Sequence, residues 1–275
     1  MWVVQGATTY YYHDTHGGIH TQARKSWFFF DHEVVCLGAG ITSGSPYDVM
    51  PTVNQDIDCK GSTFTYLADG KSHGLKEGDS ISSASIKWVR HGDTGYIFPE
   101  GGRILIQRKM QQGNWYDINH AEKSRMEQKD IATVAIDHGL QPQNATYAYI
   151  VVPEVTSDRI MESYQDHRKV LILENTRNLQ AVWHSELGIW QMIFHAKGQY
   201  RDSNIRIKVD APCALMVSRK ADGRVWLHIA DPLQKEQIIN LELKVDGDMK
   251  RTKKLSCNFT HMGEEAGKTK AFPLN

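Results

Sequence analysis

The sequence predicts an all-β protein: a large antiparallel β-sandwich followed by a smaller C-terminal antiparallel β-sandwich. Three observations carry this. Apolar residues recur with a period of two along nearly the whole chain. Gly, Asp, Asn and Pro clusters punctuate these runs at the spacing of an antiparallel sandwich. The stretch "WFFF", Trp27–Phe30, is apolar at successive positions, which requires a strand buried on both faces of its sheet.

Taken in order, Trp27–Phe30 and Glu33–Leu37 flank Asp31 and His32, which read as a two-residue hairpin loop, with Gly38 and Gly40 at the exit. Phe64–Leu67 ends at Asp69 and Gly70, another turn signal. Ile86–Val89 leads into "HGDTG", then "YIF", the turn "PEGG" and the strand "RILIQ". Ile131–Ile136 and Tyr147–Val152 flank "DHGLQPQN", a hairpin or corner. One short helix is predicted, capped by Thr156 or Ser157 and continuing through "DRIMESY". Strands then resume as "KVLIL", "LQAVWH", "WQMIFH", "NIRIKV", "ALMVSRK", "RVWLHIA" and "IINLELKV". The helix divides a larger β domain, residues 1–165, from a smaller one, 166–275.

A chain of 275 residues can bury one large core or two ordinary ones. Its 32 Lys and Arg balance 32 Asp and Glu, with neither sign gathered into a block. That argues against a nucleic-acid binder, which needs a basic face to displace counterions. The longest apolar runs are about half of what a bilayer demands, so no membrane partner is expected. Residues 1–24 lack the basic start and clean apolar stretch of a secretory signal. Cys36, Cys59, Cys213 and Cys257 form no CxxC pair, so neither a zinc site nor a redox motif is indicated. Cys36 reads as a small buried hydrophobe; a Cys36–Cys59 disulfide is the alternative.

Candidate chemistry is sparse. "YYYHDTHGGIH" sets His13, His16 and His20 beside Tyr10–Tyr12. Spacings of three and four suit zinc ligands on a helix, but Gly17 and Gly18 and the β-rich flanks argue for a polar loop. A Tyr/His acid–base pair is the remaining reading. Asp137, His138 and Asn144 sit in a segment whose Asp and Gly are expected for backbone reasons. Asn144-Ala145-Thr146 also matches a glycosylation acceptor. His91, Asp93 and Glu100 lie among turn glycines. Trp88, Trp115, Trp183, Trp190 and Trp226 would stack on sugars if exposed, yet they occupy apolar strand runs and read mostly as core. No catalytic residue, metal ligand or cofactor is assigned, and the substrate-binding residues stay open.

Five blocks together carry a resemblance: "ARKSWFFFDHEVVCLGAGI", "TGYIFPEGGRILIQ", "GNWYDIN", "AIDHGLQPQNATYAYIVVP" and "VLILENTRNLQAVWH". They resemble polysaccharide lyase family 8, which includes chondroitin AC, hyaluronan and xanthan lyases. The resemblance implies an α/α toroid, a central β-sandwich that is part of a supersandwich, and a small C-terminal β-sandwich. It further implies β-elimination at a uronate–glycan bond, with Asn, His, Tyr and Arg of the toroid neutralising the acid group and moving protons. None of these matches a position here. The expectation is therefore an N-terminally incomplete central domain plus the whole last domain, inactive alone. Its partners would be an acidic polysaccharide, met through the intact enzyme, and the toroid. Self-association of the fragment and a secreted or periplasmic location are also implied. A stand-alone carbohydrate-binding or scaffold module is the alternative.

Overall fold

The computed structural model describes residues 8–9, 12–13, 20–59, 61–121, 123–166, 169–235 and 237–275. Every strand pair among them is antiparallel. Four sheets are stacked in layers. The outermost N-terminal layer has the spatial order Thr52–Ile57, Met126–Asp137, Arg103–Asn114, Ser80–Ser83. Against it lies a nine-stranded sheet. Its order is Thr8–Thr9, His20–Phe29, Val34–Ser43, Ala145–Val152, Thr94–Ile97, Ile86–His91, Phe64–Ala68, Lys71–Gly74, with Tyr12–His13 off this path on His20–Phe29.

The third layer is six-stranded: Val170–Asn175, Leu179–His184, Ile189–Phe194, Cys213–Arg219, Val225–Ala230, Lys270–Pro273. The fourth is Gly198–Arg201, Ile205–Val209, Ile238–Val245, Lys253–Asn258. The last strand of the first two layers ends at Val152, and the helix Asp158–Asp166 follows before the third layer begins.

Layering explains the adjacent apolar residues. In the nine-stranded sheet Cys36, Tyr147 and Tyr149 face the outer N-terminal layer, where they meet Ile104, Ile106 and Val134. Their neighbours Val35, Leu37, Ala148 and Ile150 point the other way, toward Val182, Ile193 and Ala214 of the six-stranded sheet. Phe28 and Phe30 belong to this second seam, while Trp27 packs in the first. A strand between two apolar layers needs no polar face. The third core, between the last two sheets, holds Trp190, Phe194, Leu215, Leu227 and Leu243.

The predicted hairpin turns are present. Phe30 N–H donates to the Glu33 carbonyl (2.9 Å) around Asp31 and His32, and Asp69 and Gly70 both adopt positive φ, 51° and 73°. That is the geometry a two-residue turn between right-twisted strands demands. Several short strands escaped the sequence reading, among them Thr52–Ile57, Lys71–Gly74, Ser80–Ser83, Gly198–Arg201, Lys253–Asn258 and Lys270–Pro273. So did the one-turn helix Trp115–Ile118, capped by Asn114, whose side chain accepts from Tyr116 N–H. All four cysteines are free; Cys36 is buried and Cys59 exposed, so the alternative of a disulfide between them fails.

Candidate functional site: the tip of the long hairpin

The strands Arg103–Asn114 and Met126–Asp137 pair without interruption over their whole length, from Arg103 opposite Asp137 to Asn114 opposite Met126. Their connection forms a structured tip. Asn114 Oδ1 accepts from Tyr116 N–H and Arg125 N–H (both 3.1 Å), and Asn114 Nδ2 donates to Ser124 Oγ (2.9 Å). His120 Nδ1 bonds the Tyr116 carbonyl (2.8 Å), with the two rings 4.9 Å apart. One asparagine thus holds both ends of the tip, and Trp115 projects from it with 61% of its surface exposed.

Beside Trp115 runs a groove of about 380 Å³ lined by Ile57, Gln111, Gly113, Ile118, Lys129 and Ile131, among others. Gly113 stands opposite Glu127 in the ladder, and a Cβ built there would meet nothing within 4 Å. Its missing side chain keeps the groove open. An indole face flanked by the Gln111 and Gln112 amides can stack on the apolar face of a pyranose while the amides bond ring hydroxyls.

The other tryptophans of interest go elsewhere. Trp88 and Trp190 are fully buried; Trp183 is half-buried and stacks on Trp190 with centroids 5.6 Å apart and planes 8° from parallel. Trp226 is half-buried. Only Trp115 of these five is exposed, and its loop position, rather than an apolar strand run, is the signal that could have singled it out.

The remaining sequence candidates do not converge. His91 pairs with Asp58 (Nε2 to Oδ1, 3.4 Å) and not with Asp93 or Glu100. Asp58 also receives Arg108 Nε at 2.6 Å, and Arg108 Nη1 donates to the Leu75 carbonyl (2.9 Å), so this buried trio braces two loops. Asp137 Oδ1 accepts from Gly139 N–H (2.8 Å), the turn-forming role expected of it. His138 stacks on Tyr147 at 6.2 Å, and burial lowers its pKa against a partial opposing pull from Asp137. Asn144 adopts φ 55° in the corner that carries the chain from one sheet to the next. The side chains of Tyr10–Tyr12, His13, His16 and His20 lie outside the described residues. Among the described residues no group of three or more His, Cys, Asp or Glu is arranged to hold a metal ion.

Comparison with known proteins gives these features a context. The model of the polysaccharide lyase family 8 super-sandwich domain matches residues 4–164, and that of the family 8 C-terminal β-sandwich domain matches residues 171–240. A chondroitinase-AC of Pedobacter heparinus is 36% identical over 261 residues, covering 90% of this chain and 34% of its own length. A hyaluronate lyase of Thermasporomyces composti is 35% identical over 214 residues, 78% of this chain and 27% of its own. Among solved structures, a chondroitinase AC lyase studied with bound oligosaccharides superposes with a TM-score of 0.84 at 33% identity, over 98% of this chain and 38% of that one. The chain therefore spans about a third of the length of the relatives it matches.

Proposed function

This chain belongs to polysaccharide lyase family 8, and from that premise we propose that it is the β-sheet portion of a lyase that cleaves uronate-containing glycans of the chondroitin or hyaluronan type by β-elimination. In this reading residues 1–165 form part of the central sandwich and 166–275 the C-terminal one. Together they wall the substrate cleft, and the residues that move protons stand on a helical domain outside these 275 residues. The intact enzyme acts outside the cytoplasm, where such polymers occur.

The observation that carries the proposal is the match of both β-domain models in sequence order along one chain whose relatives are about three times as long. β-Elimination supports it further. The C5 proton beside a uronate carboxyl is weakly acidic, so its removal needs a converging base, acid and carboxylate-neutralising group. His91, Asp137 and His138 each serve the fold instead.

The test is direct. The chain is incubated with chondroitin sulfate, hyaluronan and xanthan while the ultraviolet absorbance of the unsaturated uronate product is followed. No turnover is expected from the 275 residues, and turnover of one of these polymers is expected from the intact enzyme. Sustained turnover by the chain alone would sink the proposal.

The exposed Trp115 favours a second reading, a glycan-binding module that works without a catalytic partner. Calorimetric titration with chondroitin and hyaluronan oligosaccharides separates the two. Binding that Trp115→Ala weakens about tenfold or more, and that Gly113→Val abolishes by filling the groove, supports the module. Undetectable binding by the isolated chain removes it.

A further inference from the structure

The outer face of the fourth sheet carries more positive charge than its carboxylates can satisfy. Alternation along its strands sends Ile205, Ile207, Val209, Leu241 and Leu243 inward, which leaves Arg206, Lys208, Glu242 and Lys244 on the solvent side. Ladder partners share a face. Arg201 stands opposite Arg206, Arg206 opposite Lys244 and Lys254 opposite Glu242. Five cations thus stand on one sheet face, their side chains set about 5 Å apart across strands and about 7 Å apart along them.

Three carboxylates share that face, and each is already engaged. Asp246 serves both Arg206 (2.8 Å) and Lys244 (2.9 Å), whose hydrogen bonds hold its carboxyl below the usual range. Glu242 pairs with Lys254 (3.1 Å). Asp210 is taken up by the backbone and side-chain N–H groups of Asn240 (2.8 and 2.7 Å). Arg201 and Lys208 are exposed and make no ion pair among the described residues.

The face is also shaped. One groove of about 370 Å³ is lined by Lys208, Asp210, Asn240, Glu242, Lys254 and Ser256, among others. A second, of about 260 Å³, is lined by Gln199, Arg201, Arg206, Lys208, Glu242 and Thr252. Lys208 and Glu242 border both, so the two adjoin as one track across the sheet, along which Arg201, Arg206, Lys208 and Lys254 outnumber the carboxylates Asp210 and Glu242, with hydroxyl and amide groups at its sides.

We propose that this track binds a linear acidic polysaccharide through its carboxylate or sulfate groups, as a contact separate from the Trp115 groove. The choice of a glycan over another polyanion rests on the lyase reading given above. A polymer held here would be retained near the enzyme between cleavage events. Charge attraction supplies the contact, so it weakens steeply as salt rises.

The test is chromatography of the 275-residue chain on immobilised chondroitin sulfate over a salt gradient, with affinity measured in parallel by calorimetry. The wild-type chain is expected to be retained at low salt, and a neutral dextran column is expected not to hold it. Arg201→Glu with Lys208→Glu should elute earlier and bind about tenfold more weakly, while the equal charge change Lys71→Glu with Lys87→Glu, at exposed positions of the nine-stranded sheet, should elute with wild type. Because a double charge reversal could perturb the sheet, Arg201→Gln with Lys208→Gln is run beside it. Its shift should be smaller and in the same direction, at an unchanged melting temperature. Co-elution of both double variants with wild type overturns the proposal, as does equal retention on dextran. Equal retention on polyglutamate overturns the assignment to a glycan. Retention is independent of cleavage, so an intact enzyme that fails on uronate polymers while the chain still binds the column would remove the lyase reading and leave the track standing.

Discussion

Gly38 shows how finely a single position is matched to its neighbour. It lies in the strand Val34–Ser43 beside Tyr147, and a Cβ there would collide with the Tyr147 ring. The ring is itself buried and has no open space to yield into. Gly38→Ala is therefore expected to cost about 1–3 kcal/mol, read as a lower urea midpoint at unchanged m-value. His195 is a second case, at the seam between the second and third sheets. It donates from Nε2 to Gln180 Oε1 (3.0 Å), which also accepts from Ser26 Oγ (2.5 Å). Burial, and then the nearby charge of Arg24, push its pKa down to about 4. The unfolded chain, with a histidine near 6.5, binds the proton more readily across the interval between these values. Stability from this residue is thus full above about pH 6.5 and is lost as pH falls toward 4, by up to about 3 kcal/mol. His195→Gln keeps a donor for Gln180 and removes the titration. Urea unfolding at pH 7 and pH 4.5 should show a shallower loss for the variant, and equal losses would refute the assignment.

Among elements, the helix Asp158–Asp166 depends on one carboxylate at its start. Asp158 accepts from Thr65 Oγ1 (2.7 Å), Ser72 Oγ (3.0 Å) and Arg90 Nε (2.7 Å), tying the helix to the nine-stranded sheet. Burial alone would raise this carboxyl, but those hydrogen bonds outweigh it and hold it low. Asp158→Ala leaves the buried Arg90 without its counter-ion and should cost about 2–4 kcal/mol, checked by thermal unfolding. The helix itself was legible, because Thr156 and Ser157 precede a run without glycine or proline. The one-turn helix Trp115–Ile118 was not, since four residues display no period and Asn114 alone signals the cap. Gly198–Arg201 and Lys270–Pro273 were missed for a related reason. They are edge strands with polar outward positions, and pairing with a neighbour, not their own apolar pattern, makes them strands.

Across the whole molecule, the seam between the second and third sheets decides whether the four layers act as one body. Phe28, Leu37 and Trp88 pack there with Val182 and Ile193. His184 Nδ1 accepts from Leu187 N–H (3.2 Å), which puts the ring proton on Nε2, facing Glu33 at 2.7 Å. A second network runs from Ser26 and His195 to Gln180, which donates to Asn175 (2.9 Å), and Asn175 donates in turn to the Tyr147 carbonyl (3.0 Å). A seam both apolar and hydrogen-bonded should couple the sheets, so calorimetry and tryptophan fluorescence are expected to report one coincident transition. Val182→Asp, which buries an unpaired charge in that seam, should lower the melting temperature sharply or split the transition. Two well-separated transitions in the wild-type chain would show that the sheet pairs fold apart.

Amino-acid order alone determined that the chain folds as antiparallel strands, where several of its turns fall, and that "WFFF" lies between two apolar layers. Alternation, turn chemistry and side-chain hydrophobicity act over a few residues and can be read locally. Tertiary structure decided which strands share a sheet. "RILIQ" leaves the sheet of "YIF" for the outer layer, and "DHGLQPQN" proved a corner between sheets. It also decided that Trp115 is exposed while Trp88 is buried, and that Glu242, opposite Lys208 in the ladder, pairs with Lys254 instead. Such outcomes depend on residues as distant as Ser26 and Gln180 meeting across stacked layers, and a two-residue period carries no information about which layer comes next.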